Sequence, residues 1–464
     1  MGPVAVFAAG LLLSLAPLMR GGNRQIALIV LEAIALLFLV ALFARPVVHS
    51  GPARSGSSET WHRKVLLGVL LFSPAWLAVV YLLPMPAAFW SGLPGRAIYG
   101  PLMAGAGIQL GINLPLSLVP EVTKASLLAG IPLVAGFLAG YASRLSQLKL
   151  LLSVVAGMAF LQVLLGLFQA AGGIQSTLYF AVEFGGRPLG TFANTNHFAN
   201  YLAMALAGYI WLAWSNLAGT SPGRADKSMT RFGERHAQAF WVAGGLVLVL
   251  GILMSFSRGA ALAGLPAAML AAGVALVMGG RLQNWRMALL LMAGLLVAGV
   301  ALVGAGALLS RFDPGKLAVD SSFRGLLSST TLMGAKEFWP WGSGWGSYPS
   351  VYPRFQPVAV DGYAEYAHQD YAQMLFEGGV FAVVMAAAFL WLAAGRLLML
   401  VRMAASKVVI RTDQMASALC GLGLLGFLVH SLVEFNMHIP ANAILAALLA
   451  GVFLRPLEAG NRHQ

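Results

Sequence analysis

The chain has 464 residues, of which 59% are hydrophobic and only 10% charged, and its mean hydropathy is +0.79. A soluble domain carries about 25% charged residues, so this composition excludes a water-soluble globular protein and describes an integral membrane protein. The formal net charge of +13 is then a signal of membrane topology in the loops, not a nucleic-acid footprint.

Apolar runs of about 17–22 residues fit a hydrocarbon core of about 30 Å as helices. Alternation at period two is missing, which argues against a transmembrane barrel. In chain order the runs predict twelve spans, at residues 4–19, 25–43, 65–83, 126–142, 150–170, 196–214, 239–256, 260–279, 287–309, 380–400, 416–433 and 441–454. The first run has no basic residues before it and no small-residue cleavage site, so it reads as a retained helix rather than a signal peptide. Two polar insertions interrupt the pattern, a smaller one at 84–123 and a large one at 310–371. The expected architecture is all-α, one polytopic domain over 1–464, with short amphipathic helices in the larger loop.

Orientation follows from Lys and Arg in the short loops. With both termini in the cytoplasm, the larger share of the 29 basic residues falls on the inner side, including Arg63, Lys64, Arg144, Lys149, Arg396, Arg402, Arg411 and Arg455. Both large insertions then lie outside the cytoplasm. Among the loops, 310–371 is the one where chemistry is expected, because a long ordered insertion in a membrane protein is usually functional.

Three arginines stand at the same membrane face: Arg187 before a span, Arg258 in the short break Ser257-Arg258-Gly259, and Arg324. Arg324 opens a stretch in which Phe323, Leu326, Leu327, Thr330 and Met333 recur on one helical face. Each arginine could snorkel to lipid headgroups. Together, their planar guanidinium groups would suit the oxygens of a pyrophosphate. Asn194 and Asn196 stand at a helix entrance beside His197, as an N-cap or as sugar contacts. His368, with Glu365 and Asp370 nearby, ends the large loop and is a candidate for proton transfer. Glu434 and His438 occupy the last turn on that side. The cluster Trp339, Trp341, Trp345 and Tyr348 reads either as an interfacial aromatic belt or as a sugar platform.

Several motifs are missing. There is no phosphate-binding Gly-Lys loop, no pair of aspartates one residue apart, and no zinc spacing of Cys or His. The single Cys420 allows no intramolecular disulfide. No cofactor and no metal are expected.

Five elements, in this order, resemble the O-antigen ligase and O-antigen polymerase superfamily of bacterial membrane glycosyltransferases. They are Arg187 to Ala199, Ser257-Arg258-Gly259-Ala260, Trp339 to Tyr348, His368 to Gln373, and Glu434 to Pro440. The chain departs from the family pattern at Gln369, Ala372 and Glu434, where asparagine, leucine and aspartate are common. The resemblance implies a metal-independent, inverting transfer on the periplasmic face of the inner membrane. A glycan on undecaprenyl pyrophosphate would pass to an acceptor hydroxyl such as that of lipid A-core. It further implies that His368 acts near the acceptor and that Arg187 and Arg258 hold the donor pyrophosphate; Arg324 joins them as an expected pyrophosphate contact by its placement and charge. Asn194, Asn196, Trp345, Tyr348, Asp370 and Glu434 are the expected sugar or acceptor contacts. A ligase and a polymerase share this chemistry and differ in acceptor. A transporter of lipid-linked glycan would be expected to show repeated halves, and none is evident here.

Overall fold

Apolar runs close their own backbone hydrogen bonds as helices, the only open-ended solution available inside a bilayer. The computed structural model follows that rule. It describes residues 1–44, 61–107, 109, 111–180, 182, 186–218, 227–279, 297, 313–360, 362–406 and 410–457. About 75% of it is helical. Among the described residues one small sheet pairs β1 (Pro84–Pro86) antiparallel with β2 (Asn113–Pro115), with Met85 opposite Leu114. The protein is an all-α, multi-pass membrane protein.

The longer helices are α1 (Pro3–Leu15), α2 (Gln25–Phe43), α3 (Trp61–Leu71), α4 (Ser73–Leu82), α5 (Pro120–Ala142) and α6 (Leu145–Ala171). They continue as α7 (Thr195–Ala218), α8 (Lys227–Met254), α9 (Ala260–Met278), α10 (Pro314–Glu337), α11 (Asp370–Ala405), α12 (Thr412–His430) and α13 (Pro440–Leu454). Among the described residues seven are long and apolar enough to cross a membrane, or eight if α3 and α4, bent by 59°, count as one broken span. The predicted twelve is therefore not the number the helices meet. Helices α1 and α13 are shorter apolar helices, and α7 carries Asn196, His197 and Asn200 in its first turns. The span expected at 287–309 lies outside the described residues.

Helix α7 sits at the centre, packed by α6, α8, α9, α12 and α13. Its side chains from His197 to Tyr209 are buried throughout. Small residues let α13 approach its neighbours closely, through Ala441, Ala443, Ala446 and Ala450.

The two insertions fold against each other at one end of the bundle. The Leu118 amide donates to the Ser343 carbonyl at 2.9 Å, and the Thr123 hydroxyl to the Trp345 carbonyl at 2.8 Å. Buried Arg96 joins them, donating to the carbonyls of Leu116 at 2.6 Å and Gly342 at 3.0 Å. Burial pulls its guanidinium down to about 10.

Helix α10 buries a different face from the predicted one. Leu327, Thr331, Ala335 and Phe338 turn inward, whereas Phe323 and Met333 are 42% and 55% exposed. The partners decide this: Thr331 meets the Tyr348 hydroxyl at 2.8 Å, and the Phe338 and Phe376 rings pack edge to face at 5.4 Å.

Helix α11 is broken at Gly379, whose φ of 51° is left-handed. The aromatic and glycine segment closes over that break. The amides of Ser343 and Gly344 donate to the carbonyls of Phe376 and Glu377 at 3.0 and 2.9 Å, and the Val380 amide donates to the Pro340 carbonyl at 2.7 Å. Glu377, buried, accepts the amides of Gly346 and Tyr348 at 2.8 and 3.0 Å. Its carboxylate and the freed carbonyls thus find partners that an unbroken helix would not need.

Candidate functional site

The segment that carries Arg187 is held by two buried glutamines seven positions apart on one face of α6. Gln169 Oε1 accepts the amides of Leu189 and Gly190 at 2.9 Å each, and Gln162 Oε1 accepts the Thr191 amide at 2.7 Å. The Asn194 side chain then accepts the Asn196 amide at 2.8 Å and opens α7. Arg258 stands where α8 ends. Ser255 Oγ accepts the Ser257 amide at 3.1 Å, Ser257 Oγ accepts the Ala260 amide at 3.3 Å, and α9 begins with a π-helical turn over Ala260–Gly264. Such turns concentrate at functional sites. His368 is the second residue before α11, with Gln369 capping that helix through the Ala372 amide.

Four non-glycine residues among those described have left-handed backbone: Arg20, Phe180, Phe256 and His368, with φ of 50–55°. Each attaches to one region. Phe256 is two residues before Arg258, and the Phe180 carbonyl accepts from Arg20 at 2.9 Å. Arg20 and His368 line cavities there. Backbone strain of about 1–3 kcal/mol per residue is retained only where the surroundings enforce it, and it clusters at active sites and ligand clamps.

Fully buried Glu434 is the hub. Its Oε1 is 3.0 Å from His368 Nδ1, and its Oε2 is bonded by the Asn196 amide group and lies 3.4 Å from Arg324 Nη2. Burial alone would push this carboxyl up. The hydrogen bond from His368 and the nearby His197, His368 and Arg324 outweigh it and hold the group well below the usual carboxylate range. An ionised carboxylate only accepts, so His368 Nδ1 carries the proton it donates. That tautomer leaves Nε2 with its lone pair.

A cavity of about 280 Å³ is lined by Arg187, Arg258, Arg324, His368, Asn194 and Asn196, with Glu434 and His430 in its wall. Three cations, an imidazole and two amides thus meet in one place from four separate stretches of chain. A second cavity, of about 310 Å³, shares His368, Asn194 and Phe323 with the first and adds Arg20, Asn23, Tyr363, Glu365 and Tyr366.

Three of the expected sugar contacts lie elsewhere. Tyr348 is fully buried with its hydroxyl on Thr331, and Trp345 packs among Leu77, Tyr81, Leu116 and Leu127. Asp370 is fully buried and accepts the Met437 amide at 2.9 Å and His438 Nδ1 at 2.8 Å. All three serve the clamp on α11 or its anchoring to the last turn, and none lines either cavity. Glu434 and Asn196 stand in the wall but are engaged with each other. Sequence reasoning missed His430, Arg20 and Asn23. The last two sit in a five-residue polar turn between apolar runs, a signal that a short connecting loop also produces. Among the described residues no three His, Cys, Asp or Glu side chains form a metal-ligating group.

No curated protein matches the chain. Residues 243–387 match the family model described as O-Antigen ligase. The matched stretch holds Arg258, Arg324 and His368, three of the residues that meet in the first cavity. The resemblance read from the ordered motifs is thereby borne out over that stretch: residues 243–387 are similar to an O-antigen ligase domain, which supports the O-antigen ligase and polymerase family.

Proposed function

We propose that the protein transfers a glycan from undecaprenyl pyrophosphate to an acceptor hydroxyl at the periplasmic face of the inner membrane, as an O-antigen ligase does. One observation carries the reading: Arg187, Arg258 and Arg324 line the same cavity as a histidine oriented by a buried carboxylate. In this reading the arginines hold the pyrophosphate. Their charge stabilises the oxygen that departs with the electron pair of the sugar C1–O bond. His368 Nε2 takes the proton of the acceptor hydroxyl as that oxygen attacks C1. Displacement in line inverts the anomeric centre. Glu434 is a positioning residue that fixes the imidazole, and Asn196 holds Glu434.

The excess of Lys and Arg in the loops opposite the insertions supports cytoplasmic termini and a periplasmic cavity. Pyrophosphate is already a good leaving group, and the charge it gains with the C1–O electron pair spreads over its oxygens among the arginines, so neither ATP nor a metal is required by this chemistry. The test is transfer in proteoliposomes from a lipid-pyrophosphate glycan to lipid A-core, without ATP and with a chelator. His368→Ala should lose roughly 10²–10⁴-fold in rate while retaining its melting temperature. A single en bloc transfer to lipid A-core marks a ligase, and a ladder of lengthened lipid-linked glycans a polymerase. An unchanged turnover in folded His368→Ala would overturn the assignment of the base.

A further inference from the structure

We infer that the second cavity is the acceptor subsite, in which Arg20, Asn23, Glu365 and Tyr366 receive the terminal sugar whose hydroxyl is to be glycosylated. The inference rests on the proposed transfer and adds which residues select the acceptor. The geometry of displacement leads to it. Attacking oxygen and leaving oxygen must lie on opposite sides of C1. With the pyrophosphate among the three arginines, the acceptor enters from the other side of His368. The two cavities meet at His368, Asn194 and Phe323.

The lining suits that occupant. The first cavity concentrates positive charge, which fits a pyrophosphate. The second sets Arg20 and Glu365 together with the Asn23 amide, a balanced group of donors and acceptors that fits a polyhydroxyl ring. Its aromatic wall is rigid. Tyr366 stacks on Phe435 with centroids 4.3 Å apart and 8° between planes, and Phe435 meets the His368 ring edge to face at 4.8 Å. Asn23 bonds the Tyr366 side chain, which ties the polar turn before α2 to this wall. At about 310 Å³ the cavity is at the small end of ligand sites. It therefore accommodates the end of a glycan, with the remainder outside. Arg20 is fixed by its bond to the Phe180 carbonyl in a left-handed conformation that glycine adopts more readily.

In the reaction, the acceptor O–H bond breaks with its proton passing to His368 Nε2, and the new bond forms between that oxygen and C1. The C1–O bond to the pyrophosphate breaks with its electron pair leaving on the pyrophosphate.

The experiment compares Arg20→Gly, Asn23→Ala and Arg258→Ala with the unaltered protein in proteoliposomes. The donor is undecaprenyl-pyrophosphate-linked glycan from native membranes, and lipid A-core or the same lipid-linked glycan is titrated as acceptor. Arg20→Gly removes the guanidinium at a backbone position suited to glycine, so the fold is retained. It and Asn23→Ala should raise the acceptor KM about tenfold each, as for loss of one hydrogen bond to substrate, with the donor KM unchanged. Arg258→Ala should show the reverse split. Normal transfer with an unchanged acceptor KM in both cavity variants, or a shift in donor KM instead, would overturn this subsite alone. Absence of transfer by the unaltered protein to either acceptor would overturn both the subsite and the function it rests on.

Discussion

The imidazole of His368 and the carboxylate of Glu434 meet at 3.0 Å although 66 positions of chain separate them. Two elements create the contact: the left-handed turn before α11 and the short turn after α12. The amide of Asp370 donates to the Ser431 carbonyl at 3.1 Å and joins those turns directly. A carboxylate with four neighbours in a fully buried position has little freedom, so its effect on His368 is orientation.

Glu434→Gln should therefore reduce kcat by roughly 10–100-fold, the usual cost of removing a carboxylate that orients a functional histidine, with the donor KM near its original value. Glu434→Asp, which keeps the charge, should recover part of the rate. Steady-state kinetics on purified protein would check this, and a loss confined to donor KM would contradict it.

Arg187 and Arg258 should each be intolerant of replacement. Alanine at either position should cost at least about tenfold in kcat/KM for the donor, and lysine should recover little, because a point charge lacks the planar fork. Arg324 also contacts Glu434 and the Val433 carbonyl, so Arg324→Ala should lower kcat as well as donor affinity. Donor titrations on all three variants distinguish the patterns.

The clamp on α11 predicts a stability effect without an effect on the cavity lining. Gly379 has φ 51°, and a Cβ there would collide with the Pro340 carbonyl oxygen. Gly379→Ala should destabilise by about 1–3 kcal/mol, read as a lower melting temperature in detergent and faster proteolysis of the segment 313–369.

His438 sets the pH dependence of the last turn. Burial pulls it down, but the hydrogen bond to Asp370 and the charges of Asp370 and Glu377 outweigh that and raise it. A raised histidine contributes stability that is fully present below its ordinary value of about 6.5 and is lost as pH rises through the folded value. The melting temperature should fall as pH increases above about 6.5, and His438→Asn should flatten that slope and cost about 1–3 kcal/mol at low pH.

Topology is checked at Val358, which is 99% exposed in the large insertion. In Val358→Cys an impermeant thiol reagent should label intact spheroplasts, against a low background because Cys420 is buried. Labelling only after lysis would reverse the proposed orientation.

By itself the sequence determined the solvent of this protein, its helical class and the chemical types at the site. Those are properties of composition and near neighbours: apolar runs must close their hydrogen bonds locally, and Asn194 can cap α7 because the amide it accepts is two residues away. Sequence placement also singled out Arg187, Arg258, Arg324 and His368, which do share one cavity. Tertiary structure alone decided which faces turn inward. Helix α10 buries Leu327, Thr331 and Ala335 because Tyr348 and Phe376 lie on that side. The aromatic segment reads as an interfacial belt or a platform in one dimension, yet packing makes it the cover of a broken helix at Gly379. Glu434, expected as a sugar contact, lies 3.0 Å from the His368 imidazole, and Arg20 reaches the second cavity from the short turn between α1 and α2. Such roles depend on distances between segments tens to hundreds of residues apart, and helical periodicity carries no information about those distances.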